Sequence, residues 1–354
     1  MVAEVAVKSD LVLGPDRLVD DIGALFQRFE DLFERGSAVL DLPVAGCRFQ
    51  VRTEIASYVR FAERAIFASG PAGAGIVRIA IGVAGRGDWP VLRWAASHYN
   101  EREIESVLAP SRYRLHFMPD IGFWQLFDRA TARGFQIMAA PDGFPKWDPG
   151  SPLRNLIQWH LGQTGGALLH AGSLGIDGKG VLLAGAGGSG KSGTVLSGIL
   201  HGLETVGDDY VFVRRGPLTA HPVFETLKQD PAGIRRLGLG QHPAVPQDMN
   251  WQGKYQLFLR ELRPAARTEA LSLKALLLPA VSGKDRTSVR PVSARDAFLA
   301  LAPSGVSQIP GDRSLLYATA ADVARGLPCY RLDLGPDPAE VAATLLEFIM
   351  GQQP

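Results

Sequence analysis

The segment GAGGSGKS, Gly185 to Ser192, limits what this chain can fold into more than any other part of it, because it fits G-x-x-x-x-G-K-[ST]. Glycines and small residues at these positions let successive backbone N–H groups turn inward around phosphate oxygens without Cβ clashes. Such a loop works between a buried strand and the positive N-terminal end of a helix. The flanks agree, since the apolar run Val181-Leu182-Leu183-Ala184 leads into it and a helix-compatible stretch, Ser192 to His201, follows. The expectation is an α/β unit that binds a nucleoside triphosphate, ATP, together with Mg2+. Gly185, Ala186, Gly187, Gly188, Ser189, Gly190, Lys191, Ser192 and Gly193 would form the cradle. Lys191 would reach the β and γ phosphates, and Ser192 would hold the metal.

A chain of 354 residues is too long for one small core, so two domains are expected. Its formal net charge of +1 gives no nucleic-acid or membrane footprint. Neither a nucleic acid nor a membrane is therefore expected as a partner, and partners have to be argued from sites. Cys47 and Cys329 are the two cysteines, far apart in sequence. They form neither a disulfide framework nor a metal cluster, and read as small buried hydrophobes. The start, MVAEVAVKSD, has no basic n-region and no unbroken apolar h-region, and no apolar run is long enough to span a bilayer. A cytoplasmic location is the expectation.

Asp16 to Gly36 reads as a first helix, with Leu18, Ile22, Leu25, Phe26, Phe29, Leu32 and Phe33 on one side and Gly36 as its stop. Strand-like runs follow at Ala38 to Leu42, Cys47 to Arg52, Gly75 to Val83, Arg112 to Met118 and Gly134 to Ala139, an α+β pattern without a chemical motif. The breaker-rich run Phe144 to Pro152 marks a boundary, giving domains 1–148 and 149–354. Ser151 is expected to cap a helix with Pro152 at its first position, ended by Gly165-Gly166. On that helix His160 shares a face with Leu153, Leu156, Ile157 and Leu161, which reads as a hydrogen-bonded core histidine.

ALLHAGSL and KGVLLAG are two strand-like runs joined at Asp177-Gly178, a dipeptide that tolerates positive φ and suits a two-residue hairpin turn. In that register residues whose numbers sum to 355 face each other, which sets His170 opposite Gly185. A hairpin here argues against a plain Rossmann unit, whose neighbouring strands are linked by a crossover helix. After the loop, Gly193 and Gly198 weaken the helix relative to alanine. The chain then reaches a strand, Tyr210 to Val213, through Asp208-Asp209, the paired carboxylates that Mg2+ coordination and proton removal require. Glu225 to Arg267 shows little periodicity and reads as loops over the site. Lys228, Arg235, Arg236, Lys254, Arg260 and Arg263 are its basic candidates for phosphate or substrate, although each alone is more often surface charge. Strand LSLKALLLPA, helices at Ala294 to Leu301 and Asp312 to Arg325, strand CYRLDL and a helix from Pro338 to Met350 complete an α/β layer.

Taken in order, His170, GAGGSGKS, the helix ending in His201-Gly202 and Asp208-Asp209 resemble the catalytic core of the HPr kinase/phosphorylase family. The spacing carries the resemblance, with the histidine fifteen positions ahead of the loop's first glycine and the second aspartate eighteen after the lysine. LKALLLPA, LAPSGV and LPCYRLDL further resemble HPr-kinase-like serine kinases of peptide-biosynthesis settings. The resemblance covers roughly residues 151 to 350. It implies a P-loop kinase domain of the HPr kinase/phosphoenolpyruvate carboxykinase type with a mixed sheet. It does not cover the N-terminal half, an α+β domain expected separately to bind substrate or partner. It further implies that Asp209 is the base for a serine hydroxyl, that Lys191 stabilises the transferring group, that Ser192 and Asp208 organise Mg2+, and that His170 supports the phosphate site. The family's Glu-x-Arg-Gly-Leu-Gly type signature is absent, GIRRLGLG being the nearest segment, and a later family arginine has no clear counterpart among Arg260, Arg263 and Arg267. Phosphorolysis and HPr itself as substrate are therefore not carried over.

The function expected is an ATP- and Mg2+-dependent kinase acting on a hydroxyl, with a serine of a peptide or small protein as the leading acceptor. A small-molecule hydroxyl kinase and a nucleotide-dependent switch or ATPase are the alternatives. Whether the chain forms a homo-oligomer stays open.

Overall fold

The computed structural model describes residues 10–34, 38–70, 73 and 75–351. Its first half holds a six-stranded mixed sheet. The spatial order is Ala38–Val44, Cys47–Thr53, Ile76–Val83, Arg133–Met138, Phe123–Asp128 and Tyr113–Met118. Alternation along these strands sorts the side chains onto two faces. Trp124, Leu126, Phe135 and Ile137 pack against Ile22, Leu25 and Phe26 of helix Leu18–Arg28. Phe123, Phe127, Val77 and Ile79 face the other way, toward Tyr58 and Ala62 of helix Ala56–Ala65.

The first helix is shorter than its sequence suggests. It starts after a 3-10 turn at Pro15–Arg17, ends at Arg28, and gives way to a second 3-10 turn, Glu30–Phe33. That tighter turn brings Phe33 to 4.6 Å from Phe135, ring to ring, so the apolar face is kept although the helix is not. Gly36, the expected stop, lies outside the described residues. The helices Ala56–Ala65 and Glu101–Leu108 and the strand Phe123–Asp128 were not expected from sequence.

The second half is built on an eight-stranded sheet. Its path runs Gly172–Ile176, Lys179–Leu183, Leu271–Val281, Thr219–His221, Val211–Arg214 and Gly166–Leu169, with Cys329–Leu334 also on Leu271–Val281 and Ser288–Pro291 outside it. The first and last strands of that path are neighbours in sequence. The sheet curls until the segment from Glu204 to Arg214 closes it. Glu204 and Gly207 bond to Gly175 and Ser173, and Val211–Arg214 then pairs with Gly166–Leu169.

The hairpin register holds from Ile176↔Lys179 to Gly172↔Leu183, with Asp177 and Gly178 at φ 49° and 73°. ALLHAGSL is nevertheless two strands and not one, because the ladder changes partner at His170-Ala171. His170 is therefore not paired with Gly185. Continuing the Val211↔Leu169 register puts Tyr210 opposite it, with the two rings 5.5 Å apart.

Helix Lys191–Leu200 lies buried between this sheet and helix Pro338–Gly351. Its glycines mark close approaches. A Cβ on Gly198 would come within 2.6 Å of Leu174, so the propensity cost of glycine is accepted for packing. Ser151 is not a helix cap. It closes a 3-10 turn, Asp148–Gly150, and the helix begins at Arg154 after Leu153 takes φ 59°. The 3-10 turn uses Ser151 N–H as its closing donor, to Asp148 O at 3.1 Å, and the left-handed Leu153 sets the start downstream.

His160 is half-buried between Phe49 and Phe127, and its Nδ1 has no hydrogen bond among the described residues, contrary to the hydrogen-bonded core histidine expected. Glu225 to Arg267 is loop only in part: Thr226–Gln229 and Tyr255–Phe258 form an antiparallel pair and Pro231–Arg236 is helical, whereas 237–254 holds neither strand nor helix.

The two halves share one core. Phe49, Val51 and Phe127 of the first sheet belong to the same buried cluster as Leu156 and Trp159 of helix Arg154–Leu161, and Phe212 and Phe224 of the second half. Backbone bonds Phe67 N–H to Val223 O (2.9 Å) and Glu225 N–H to Ala65 O (2.7 Å) add to it. The breaker-rich run that joins the halves is buried at Asp148 and Ser151, and so is not a solvated linker. No helix among the described residues is long and apolar enough to cross a membrane.

Candidate active site

Strands Lys179–Leu183, Leu271–Val281 and Cys329–Leu334 run parallel, and GAGGSGKS follows the carboxyl end of the first. This is where α/β sheets place ligands. Gly190 takes φ 100°, and a Cβ there would lie 2.4 Å from Leu334 Cδ1, so glycine is required on two counts. The N–H groups of Gly187, Gly188 and Gly190 have no backbone acceptor among the described residues. Together with the start of helix Lys191–Leu200 they form a set of donors suited to an anion.

Asp208-Asp209 enters the site on a strained turn. Asp209 has φ 73°, and Tyr210 N–H donates to Asp208 O at 2.9 Å across it, the pattern of a γ-turn. Aspartate tolerates this region better than most side chains, at a cost of about 1–3 kcal/mol. The kink lies where the sheet closes, so Asp209 is turned toward His170. Asp209 Oδ1 lies 2.9 Å from His170 Nε2, and Oδ2 accepts from Lys228 Nζ at 2.7 Å. Lys191 Nζ is 3.1 Å from the same His170 Nε2.

One imidazole nitrogen cannot donate to a carboxylate and accept from an ammonium at once. We assign the proton to Nε2, donated to Asp209, because a charge-assisted bond to an ionised carboxylate is the stronger of the two. Lys191 then keeps its donors free for phosphate. Burial lowers the His170 pKa and the Lys191 charge adds to that, against Asp209 and Asp208, which favours the neutral ring. Burial alone would raise Asp209. Lys228, His170 and Lys191 outweigh it and hold the carboxyl well below the usual range. Burial lowers Lys191 in turn, against the attraction of Asp208 and Asp209.

Asp208 is different in kind. Its carboxylate is buried, both oxygens lack a hydrogen-bond partner among the described residues, and burial raises its pKa. The Ser192 hydroxyl acts on it in the opposite direction without meeting hydrogen-bond geometry. An orphaned carboxylate beside a hydroxyl fits Mg2+, which takes one or two carboxylate ligands, phosphate oxygens and water. Among the described residues no group of three or more His, Cys, Asp or Glu forms a self-sufficient metal cage.

His170, Lys191, Ser192, Asp209 and Lys228 open into one cavity of about 810 Å³, with Asp208 behind its lining. Its lining carries Lys191, Lys228, Lys254, Arg236 and Arg154 against Asp209, Asp230 and Glu101, an excess of positive charge that suits a polyanion. Of the basic candidates, Arg235, Arg260 and Arg263 do not line it. Arg260 and Arg267 pair instead with the buried Glu225, at 3.3 and 2.9 Å. Sequence reasoning missed the far wall. Arg154, almost fully buried, donates to Tyr210 Oη (2.8 Å) and Gln308 O (2.7 Å), and its guanidinium lies 5.6 Å from the Trp147 ring. Glu101 and His116 come from the first half.

No family model and no curated protein sequence matches the chain. Among solved structures it is similar to the HPr(Ser) kinase/phosphatase from Coxiella burnetii, at 12% identity over 52% of this chain and 97% of that one, with a TM-score of 0.28. A likeness this weak assigns neither fold nor activity.

Proposed function

We propose that the chain is an ATP- and Mg2+-dependent kinase that transfers the γ-phosphoryl group to a hydroxyl, with a serine of a peptide or small protein as acceptor. The observation that supports this most is the run of contacts from Lys191 through His170 to Asp209, 3.1 and 2.9 Å, at the start of the loop helix. A phosphate loop that only binds does not need a carboxylate aimed at the same cavity.

Backbone donors of the loop and Lys191 would hold the β and γ phosphates. Asp209 would accept the acceptor's hydroxyl proton as its oxygen bonds to the γ-phosphorus, while the bond from that phosphorus to the bridging oxygen breaks and ADP leaves with the electron pair. His170 orients Asp209. Bound at Ser192 and Asp208, Mg2+ would supply neutralisation of charge on the phosphate oxygens. We assign catalysis to residues 149–354 and acceptor binding to residues 1–148, since Glu101 and His116 reach the cavity from the first half. That wall also favours a second acceptor class, a small-molecule alcohol enclosed within the cavity.

Labelled ATP incubated with extract and candidate peptides, read by mass spectrometry for the modified residue, tests the proposal. Lys191→Ala should lose nucleotide binding, and Asp209→Asn should bind without transferring. A fully active Asp209→Asn protein would overturn it.

A further inference from the structure

Lys228 belongs to strand Thr226–Gln229, set opposite Gln256 of the neighbouring strand. Its side chain is 13% exposed. The stem passes Gly150, where an added Cβ would lie 3.4 Å from Lys228 Cε. The ammonium lines the cavity and ends 2.7 Å from Asp209 Oδ2. A packed stem thus carries a tip that faces open space.

The placement creates a conflict for any base at Asp209. Both carboxylate oxygens are engaged, Oδ1 by His170 and Oδ2 by Lys228, and although each keeps a further lone pair, Lys228 lines the same cavity from which an acceptor hydroxyl must reach Oδ2. His170 is confined by the Tyr210 ring at 5.5 Å and by Lys191 at 3.1 Å. Lys228 has a flexible four-carbon stem and is the partner able to yield. A displaced ammonium must then meet another anion in the same cavity. Asp230 is engaged by Gly233 N–H at 2.6 Å, and Glu101 by Arg313 at 2.7 Å. The phosphoryl group on the loop carries more negative charge than either carboxylate and is the stronger partner for a displaced ammonium.

We propose that Lys228 is a catalytic residue that changes partner in each turnover, holding Asp209 at rest and moving to a γ-phosphoryl oxygen as the acceptor hydroxyl takes its place on Oδ2. This rests on the kinase reading above. Lys228 keeps its proton throughout and makes no covalent bond. The acceptor proton goes to Asp209, and the breaking bond is the one between the γ-phosphorus and the bridging oxygen. One displacement therefore frees the base and neutralises the transferring group together.

The test uses the full chain with Mg2+ and ATP, water serving as the acceptor and ADP release as the readout. Lys228→Met should keep nucleotide affinity within about threefold and lose about 100-fold or more in kcat. Lys228→Cys should be equally slow, and alkylation with 2-bromoethylamine, which restores an ammonium at nearly the same reach, should recover at least about a tenth of wild-type turnover. Circular dichroism checks that the variants are folded, and the alkylated cysteine keeps the test decisive if the methionine variant is not. A Lys228→Met protein with kcat within about threefold of wild type overturns the proposal, as does a raised KM at unchanged kcat, which would make Lys228 a static phosphate ligand. If the wild type transfers no label from ATP to extract or peptides, the kinase reading fails and the role of Lys228 with it. An active wild type beside an equally active variant removes Lys228 alone.

Discussion

His170 Nε2 lies 2.9 Å from Asp209 Oδ1 across 39 residues of chain, a contact made where the two ends of the curled sheet meet. Neither residue is held by a regular ladder at that point. The strands on either side are, and they fix the pair between them.

If the ring positions a base and does not hold phosphate, as proposed, His170→Ala should lower turnover by about 10- to 100-fold while nucleotide affinity changes by less than about threefold. Steady-state ADP release beside binding of a fluorescent nucleotide separates the two quantities. An affinity loss that matched the rate loss would make His170 a phosphate ligand instead.

Asp209 should respond to substitution on two independent scales. Asparagine accepts φ 73° nearly as well as aspartate, so Asp209→Asn should fold yet lose about 100-fold or more in transfer. Asp209→Val adds β-branching in a left-handed conformation and should lower stability by about 1–3 kcal/mol beyond the asparagine variant. Urea titration of both proteins checks the difference.

Asp208 should report the metal without any assay of activity. Its two buried oxygens have no hydrogen-bond partner among the described residues, so Asp208→Asn relieves a desolvated charge and should raise the thermal midpoint without added metal. Millimolar Mg2+ with ADP should then stabilise the wild type and leave the variant unmoved. Equal shifts in both would rule Asp208 out as a ligand.

Asp148 sets a pH dependence remote from phosphate. Burial raises its pKa to about 7, despite Tyr58 and Arg154 nearby. In the unfolded chain it titrates near about 3.9. The folded state thus binds the extra proton, so stability from this group is full below about pH 4 and is lost as pH rises to about 7, by up to about 4 kcal/mol. Asp148→Asn should flatten that limb and be the more stable protein at pH 8. Denaturant midpoints at pH 5 and 8 decide it, and an unchanged slope would count against the assignment.

Local chemistry made part of this legible in the sequence. The turn of GAGGSGKS between a strand and a helix and the Asp177-Gly178 turn depend on residues close together in the chain, and both are read directly. The partner change at His170-Ala171 depends on which distant segment completes the sheet, and no periodicity within ALLHAGSL shows it. Lys228 sits on a strand of four residues, too short for alternation to separate it from a surface lysine. Asn100 ahead of EREIESVL is an N-cap signal for helix Glu101–Leu108. That Glu101 of this helix reaches the cavity is a tertiary fact with no local trace. At Ser151 a correct local rule lost to the 3-10 turn before it.

The buried cluster common to both halves has a practical consequence for anyone who would shorten the protein. A chain cut at residue 148 leaves Trp159, Phe212 and Phe224 without Phe49, Val51 and Phe127 over them. Bare aromatic surface of that kind sends a truncated product into aggregates. The intact chain should instead melt in a single cooperative step, with no temperature at which the glycine-rich loop stands folded on an unravelled neighbour.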